Sequence, residues 1–142
     1  YVCVELAKKI AKDGEGATKL VEVEVKNAVS KADADKIAKS VVSSNLVKCA
    51  IFGNDPNWGR ILCAIGNSAA EFKENLVDIY FGKELVVNNG IMTNFDLNKV
   101  KSIMRKNMLK ITIDLKLGND CSLAYGCDMG YDYVKINASY TT

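Results

Sequence analysis

Three short segments hold more charged, amide and conformationally special residues than packing alone requires. The first is Asp13-Gly-Glu-Gly-Ala-Thr-Lys19. Its two glycines let the backbone turn tightly and approach a ligand closely, with the Glu15 carboxylate at the bend. Taken alone it also reads as a helix stop with a solvated glutamate. It is not a Walker loop, because Thr18 precedes Lys19 and the Gly-x-x-x-x-Gly-Lys spacing is absent. The second is Asn54-Asp-Pro-Asn-Trp-Gly-Arg60, with the only proline and the only tryptophan of the chain. Free amides at a helix start attract anions, and Arg60 one turn in can offer a bidentate fork to a carboxylate. Ordinary capping with a packed indole fits the same residues. The third is the tail Cys127 to Thr142, which keeps Tyr131, Tyr133, Val134 and Ile136 where chain ends normally fray. A tail of this composition is expected to be docked, holding Asn137 and Thr142 where their polar groups can meet a ligand.

The elements that must position these segments follow from periodicity. Val2, Leu6, Ala7, Ile10 and Ala11 recur at helical spacing and stop at Asp13-Gly14. No cap precedes this helix, so a helix already under way at Tyr1 is expected to continue from a longer chain. Val21, Val23 and Val25 alternate with charged residues, the period of a strand with one face in water. Ser30 caps a helix through Ala34, Ile37, Ala38, Val41 and Val42, and a short buried strand is expected from Val47 to Phe52. Asp55 as N-cap and Pro56 at the first position predict a helix to about Ile65. Strands follow at Val77 to Phe81 and Glu84 to Val87, then a helix capped by Asp96 through Leu97, Val100 and Met104. The alternation of Ile111, Ile113, Leu115 and Leu117 gives the clearest strand, Ser122 to Tyr125 another, and a final helix or turn precedes Asn137. Helices and strands mix without strict βαβ alternation, which predicts an α+β fold of mixed layers in one region spanning residues 1–142.

Composition removes several classes of function. A net charge of +2, with lysines dispersed along the chain, provides no stripe for nucleic acid. No apolar run approaches the roughly 20 residues of a membrane span. The five cysteines lack a Cys-x-x-Cys pair and read as buried thiols of a reducing cytoplasm. The chain has no histidine, so neither a Ser-His-Asp nor a Cys-His machine can be assembled from it alone, and no metal site is expected.

Considered together, the three segments are far more specific than any one of them. Asp13-Gly-Glu-Gly-Ala-Thr-Lys19, Leu46 to Ile61 with its Asn-Asp-Pro-Asn-Trp-Gly-Arg run, and Cys127-Asp followed by Asp132-Tyr-Val-Lys-Ile-Asn-Ala resemble the ornithine acetyltransferase family. That family is also called glutamate N-acetyltransferase or bifunctional arginine biosynthesis protein. Order and rough spacing match over essentially the whole chain. The local departure is Met129-Gly130, where leucine and then threonine or serine are more usual.

The resemblance implies a layered helix and sheet sandwich of the N-terminal-nucleophile aminopeptidase and ornithine acetyltransferase type. It implies a precursor that cleaves itself into α and β chains and exposes a threonine at the new β-chain N-terminus. That threonine takes the acetyl group of N2-acetylornithine and passes it to glutamate, with an oxyanion hole from the α chain. Its own α-amine serves as base, which accounts for the missing histidine. This chain resembles the carboxyl-terminal part of the β chain, incomplete at its N-terminus, and holds no catalytic nucleophile. Glu15, Asn137 and Thr142 carry over as substrate-binding residues. The implied partners are the α chain and the upstream part of the β chain, in an α2β2 heterotetramer. The substrates are N-acetylornithine and glutamate, acetyl-CoA is an alternative donor in some members, and no cofactor is implied. The competing readings are an N-terminal-nucleophile aminopeptidase and a non-catalytic assembly module.

Overall fold

The computed structural model describes residues 2–140. Tyr1 and Thr142, which the sequence marked as a helix start and a ligand contact, lie outside the described residues. The fold is built around β1 (Leu20–Ala28), whose Val21, Val23 and Val25 are buried on one face. β1 runs parallel to β5 (Met108–Asp114) and antiparallel to β6 (Asp120–Cys127). β2 (Asp78–Phe81), β3 (Glu84–Asn88) and the two-residue β4 (Ile91–Met92) extend the sheet, giving the order β4-β3-β2-β5-β1-β6. The β3–β4 turn uses Asn89 and Gly90, both at positive φ, as a tight two-residue hairpin demands.

One face carries the aliphatic set of β1, β2 and β5 and receives α2 (Lys31–Ser43), with Ile37, Ala38 and Val41 fully buried. α2 comes close to β6 because that strand offers Ala124 and Gly126 there. A Cβ on Gly126 would lie 2.5 Å from Val42 Cγ2. α3 (Asn45–Phe52) and α4 (Trp58–Gly66) pack beside α2, and α5 (Leu97–Met104) lies against β2 and β5. The opposite face is charged. Lys110 Nζ reaches Glu22 Oε1 at 3.3 Å and Glu24 Oε2 at 2.8 Å, and Thr112 donates to Glu24. The expected water-facing side of β1 is therefore largely covered: Glu22 is only 8% exposed. α1 (Val2–Lys12) lies over part of this side, with Lys8 Nζ 5.5 Å from the centre of the Tyr125 ring.

Four expectations are corrected. Val47 to Phe52 is helix, not strand: Ser44 caps it by accepting from Val47 N–H, and the buried set Val47, Ala50, Ile51 has helical spacing. A short apolar run does not distinguish the two by itself. The next helix is capped by Asn57 and not Asp55, so Pro56 precedes it. β5 ends at Asp114 although the alternation runs on to Leu117, because Lys116 turns to positive φ. The cysteines are not buried. Cys49 and Cys63 occupy the outward sides of α3 and α4, Cys3 and Cys121 are also exposed, and Cys127 is half-buried.

α1 has no buried residue, and its apolar Val2, Leu6 and Ile10 are exposed, Ile10 by 75%. Residues 1–142 expressed alone are expected to bind a hydrophobic dye such as ANS. Replacing Ile10 with Glu should lower the dye signal while moving the unfolding free energy by less than about 0.5 kcal/mol, as for an ordinary surface change. A parent that melts cooperatively without dye binding would show the surface to be smaller than described.

Candidate functional site

The bend and the tail meet at one buried carboxylate, and Lys19 of the bend reaches on to the α3–α4 loop. Asp128 is 2% exposed and lies just after β6. Its Oδ1 accepts from the backbone N–H groups of Thr18 (2.8 Å) and Lys19 (2.9 Å), and its Oδ2 accepts from Thr18 Oγ1 (2.5 Å). Lys19, 9% exposed, sends its ammonium the other way, to the Ile51 carbonyl (2.8 Å) and to Asn54 Oδ1 (2.5 Å). Asn54 itself sits at φ 54, a conformation that asparagine tolerates better than most residues. Burial holds the Lys19 ammonium below the usual lysine pKa, and the Asp128 carboxylate opposes that shift. The carboxylate and the ammonium are each met by their own hydrogen-bond partners, as buried charges require.

The glycines of the bend serve the chain's own tail. A Cβ on Gly14 would lie 2.6 Å from Cys127 Sγ, and one on Gly16 would lie 2.7 Å from Tyr133 N. Gly16 also takes φ 67, which strains any side chain. The close approach expected of a ligand is thus made by α6 (Tyr131–Ala138). α6 starts at Gly130 without a side-chain cap. The position that would hold a capping hydroxyl is filled by the Phe52 ring, whose Cε2 would lie 2.3 Å from a Cβ there. Phe52 also meets Tyr131 edge-on, with centroids 5.5 Å apart.

Glu15 and Asn137 meet. Asn137 Nδ2 donates to Glu15 Oε2 at 2.8 Å and to the Tyr133 carbonyl at 2.8 Å. With both amide hydrogens engaged, Asn137 presents its Oδ1 outward, and no described residue donates to Glu15 Oε1. The pair thus offers acceptors and a negative charge, which suits an ammonium or an amide N–H. Gly16, Asp132, Lys135, Ile136, Ser139 and Tyr140 line an open groove of ≈ 500 Å³ beside it. Among the described residues the tail is docked at its base and at this contact, and α6 buries no side chain. Arg60 does not join the pair; its guanidinium donates to the Leu46 carbonyl at 2.9 Å and ties α4 to α3. The Thr18 hydroxyl is spent on Asp128 Oδ2, while Oδ1 is taken by two backbone donors, and the carboxylate is buried away from the groove. Among the described residues no cluster could hold a metal ion.

The sequence placed all three segments under suspicion but missed Asp128 as the junction of the bend and the tail. The signal available was a lone aspartate immediately after an apolar strand.

The ArgJ family profile matches residues 1–142, the whole chain. This chain belongs to the ArgJ family. It is 53% identical over its full length to an arginine biosynthesis bifunctional protein ArgJ of Streptococcus mutans and covers 36% of that protein. It is 49% identical to a glutamate N-acetyltransferase of Methanocaldococcus jannaschii, covering 37% of it. The chain thus spans little more than a third of the length of these relatives. A crystal structure of an ArgJ protein from Bacillus halodurans superposes with a TM-score of 0.95 at 46% identity, covering 98% of this chain and 66% of that one. The α+β sheet-and-helix fold is therefore the fold of the ArgJ family.

The buried lysine makes a prediction about pH. Its folded pKa lies below its unfolded value of about 10.4, so between the two the unfolded state binds more protons and stability rises with pH. Lys19→Met removes that contribution. The unfolding free energy of the parent minus that of the variant should be flat below this window and climb through it toward pH of about 10.4, as read by urea denaturation at successive pH values. A flat difference throughout would mean that Lys19 is not desolvated.

Proposed function

We propose that this chain is the carboxyl-terminal, substrate-binding part of the β chain of a glutamate N-acetyltransferase that moves acetyl from N2-acetylornithine to glutamate. The observation that supports the reading most directly is the Glu15–Asn137 contact, an acceptor-only pair joining two distant segments. Such a pair suits the nitrogen of an amino acid better than its carboxylate. Glu15 accepts from a substrate N–H through Oε1, and Asn137 through Oδ1. Thr142, five residues beyond Asn137, completes the set by bonding the polar end that the pair leaves free.

In this reading the reaction runs in two halves. A threonine hydroxyl supplied by the upstream polypeptide attacks the acetyl carbonyl, its proton passing to the α-amine of the same threonine. The amide bond then breaks, the proton goes to the leaving nitrogen, and ornithine departs. The amine of glutamate attacks the acetyl-threonine ester and regenerates the hydroxyl. The described segment binds and orients the amino acid in both halves, and contributes no nucleophile. The upstream part of the β chain and an α chain of the same precursor are the partners, in an α2β2 assembly in the cytoplasm. Acetyl-CoA is a second donor in the members that accept it.

Glu15→Gln in the complete enzyme tests the reading. It keeps the shape and the Asn137 neighbour but removes the charge. The loss of a hydrogen bond to a charged group should reduce kcat/KM for acetylornithine by about 1.5 to 3 kcal/mol in transition-state terms, with the melting temperature unchanged. Turnover at the parent rate and KM would remove Glu15 from the substrate contacts.

A further inference from the structure

We propose that Asp128 is a positioning residue for the Glu15–Asn137 pair, setting the affinity for the amino-acid substrate without touching it. This rests on the reading of that pair as a substrate contact. Asp128 stands at the base of both limbs that carry the pair. On one side its two oxygens grip Thr18 and Lys19, three and four residues after Glu15. On the other, α6 begins at Tyr131, three residues after Asp128, and carries Asn137 six residues further on.

The geometry acts as a lever. At 1.5 Å per residue, Asn137 lies about 9 Å along the axis from Tyr131, so a tilt of about 10° at the base moves it by about 1.6 Å. That displacement is enough to break its 2.8 Å bond to Glu15. No residue of α6 is buried, so packing along the helix offers little resistance to such a tilt. The restraints are gathered at the base. They are the Asp128 grip, the Met129 N–H to Lys48 carbonyl bond at 3.3 Å, the Phe52–Tyr131 edge contact and the seat of Tyr133 on Gly16. Of these, two also hold the segment that carries Glu15: the seat of Tyr133 on Gly16, which is a packing contact, and the Asp128 grip, which is anchored by a buried charge. The Asp128 grip on Thr18 and Lys19 thus fixes the common base from which tail and bend are set against each other, and its loss leaves weaker ties such as the Gly16 seat and the Asp128 N–H to Lys19 carbonyl bond at 3.3 Å.

The test is a double-mutant cycle in the complete enzyme, using N2-acetylornithine as the probe and measuring kcat, KM and the melting temperature. Asp128→Asn should raise KM about tenfold, the scale of one well-placed bond to a charged group, with kcat within about twofold of the parent. In a Glu15→Gln background the same change should raise KM by less than about twofold, because the contact it positions is already gone. Equal KM factors in both backgrounds would make Asp128 a purely structural residue and overturn the proposal, as would an unchanged KM for Asp128→Asn. A Glu15→Gln enzyme with parental KM would instead sink the reading of the pair itself, and the proposal with it. If Asp128→Asn does not fold, Thr18→Val removes only the hydroxyl bond and leaves both backbone donors in place. It should show the same dependence on Glu15 at about threefold.

Discussion

A carboxylate taken out of water must be met by donors, and Asp128 is met by three from a single dipeptide. Much of the arrangement around it follows from that requirement. Thr18 and Lys19 must present their backbone N–H groups to one oxygen, which fixes how the chain leaves the bend and enters β1. The Lys19 side chain, pulled under the surface by the same constraint, must find acceptors of its own. It finds them in the Ile51 carbonyl and the Asn54 amide, and so pins the end of α3 and the loop before α4. Segments more than one hundred residues apart in sequence are joined by hydrogen bonds whose loss would strand the buried Asp128 carboxylate.

The sheet supplies the rigid floor for this cluster. β1 leads away from Lys19 and β6 leads toward Asp128, and the two strands pair with Leu20 opposite Cys127. The donors and their acceptor therefore belong to the ends of neighbouring strands, the most precisely placed atoms a small fold can offer. Small residues on β6 bring α2 close on the aliphatic side, while the charged side of the sheet is satisfied internally through Lys110, Glu22 and Glu24. The Glu24 carboxylate is held below its usual range by hydrogen bonds and charges from Lys110 and Lys26, against the effect of its own burial.

The parts of this structure that were legible in the sequence are those governed by local rules. The alternation of Val21, Val23 and Val25 and the caps at Ser30 and Asp96 name their elements unaided. So does the glycine stop after α1. The run from Val47 to Phe52 did not, because six mostly apolar residues satisfy both periods, and the arbiter was Ser44, which needed to be seen accepting from the third residue beyond it. The cysteines were misjudged for a related reason: an apolar neighbourhood in sequence does not say on which side of a helix a residue points. At the candidate site, the motifs singled out Glu15 and Asn137 without showing that they touch, and the glycines stood out by their conformational freedom. What the glycines make room for was not legible, since Tyr133 and Cys127 are more than one hundred residues distant and only the tertiary fold brings them there.

Gly130 carries a consequence for energetics. An eight-residue helix has little tendency to exist by itself, and this one lacks both a buried face and a capping side chain. Its folded population is a small difference between an aromatic contact, a few backbone bonds and the entropy of eight residues. A ligand that binds only the ordered helix sees its affinity diluted by the fraction of molecules in which the helix is formed. Affinity at such a site is therefore adjustable from a distance. A hydroxyl at position 130 that capped α6, with an aromatic at position 52 rotated aside to admit it, would tighten binding of every ligand by the same factor without adding one contact to any of them. Selectivity among ligands and overall affinity for them would then be set by separate residues, and could vary independently.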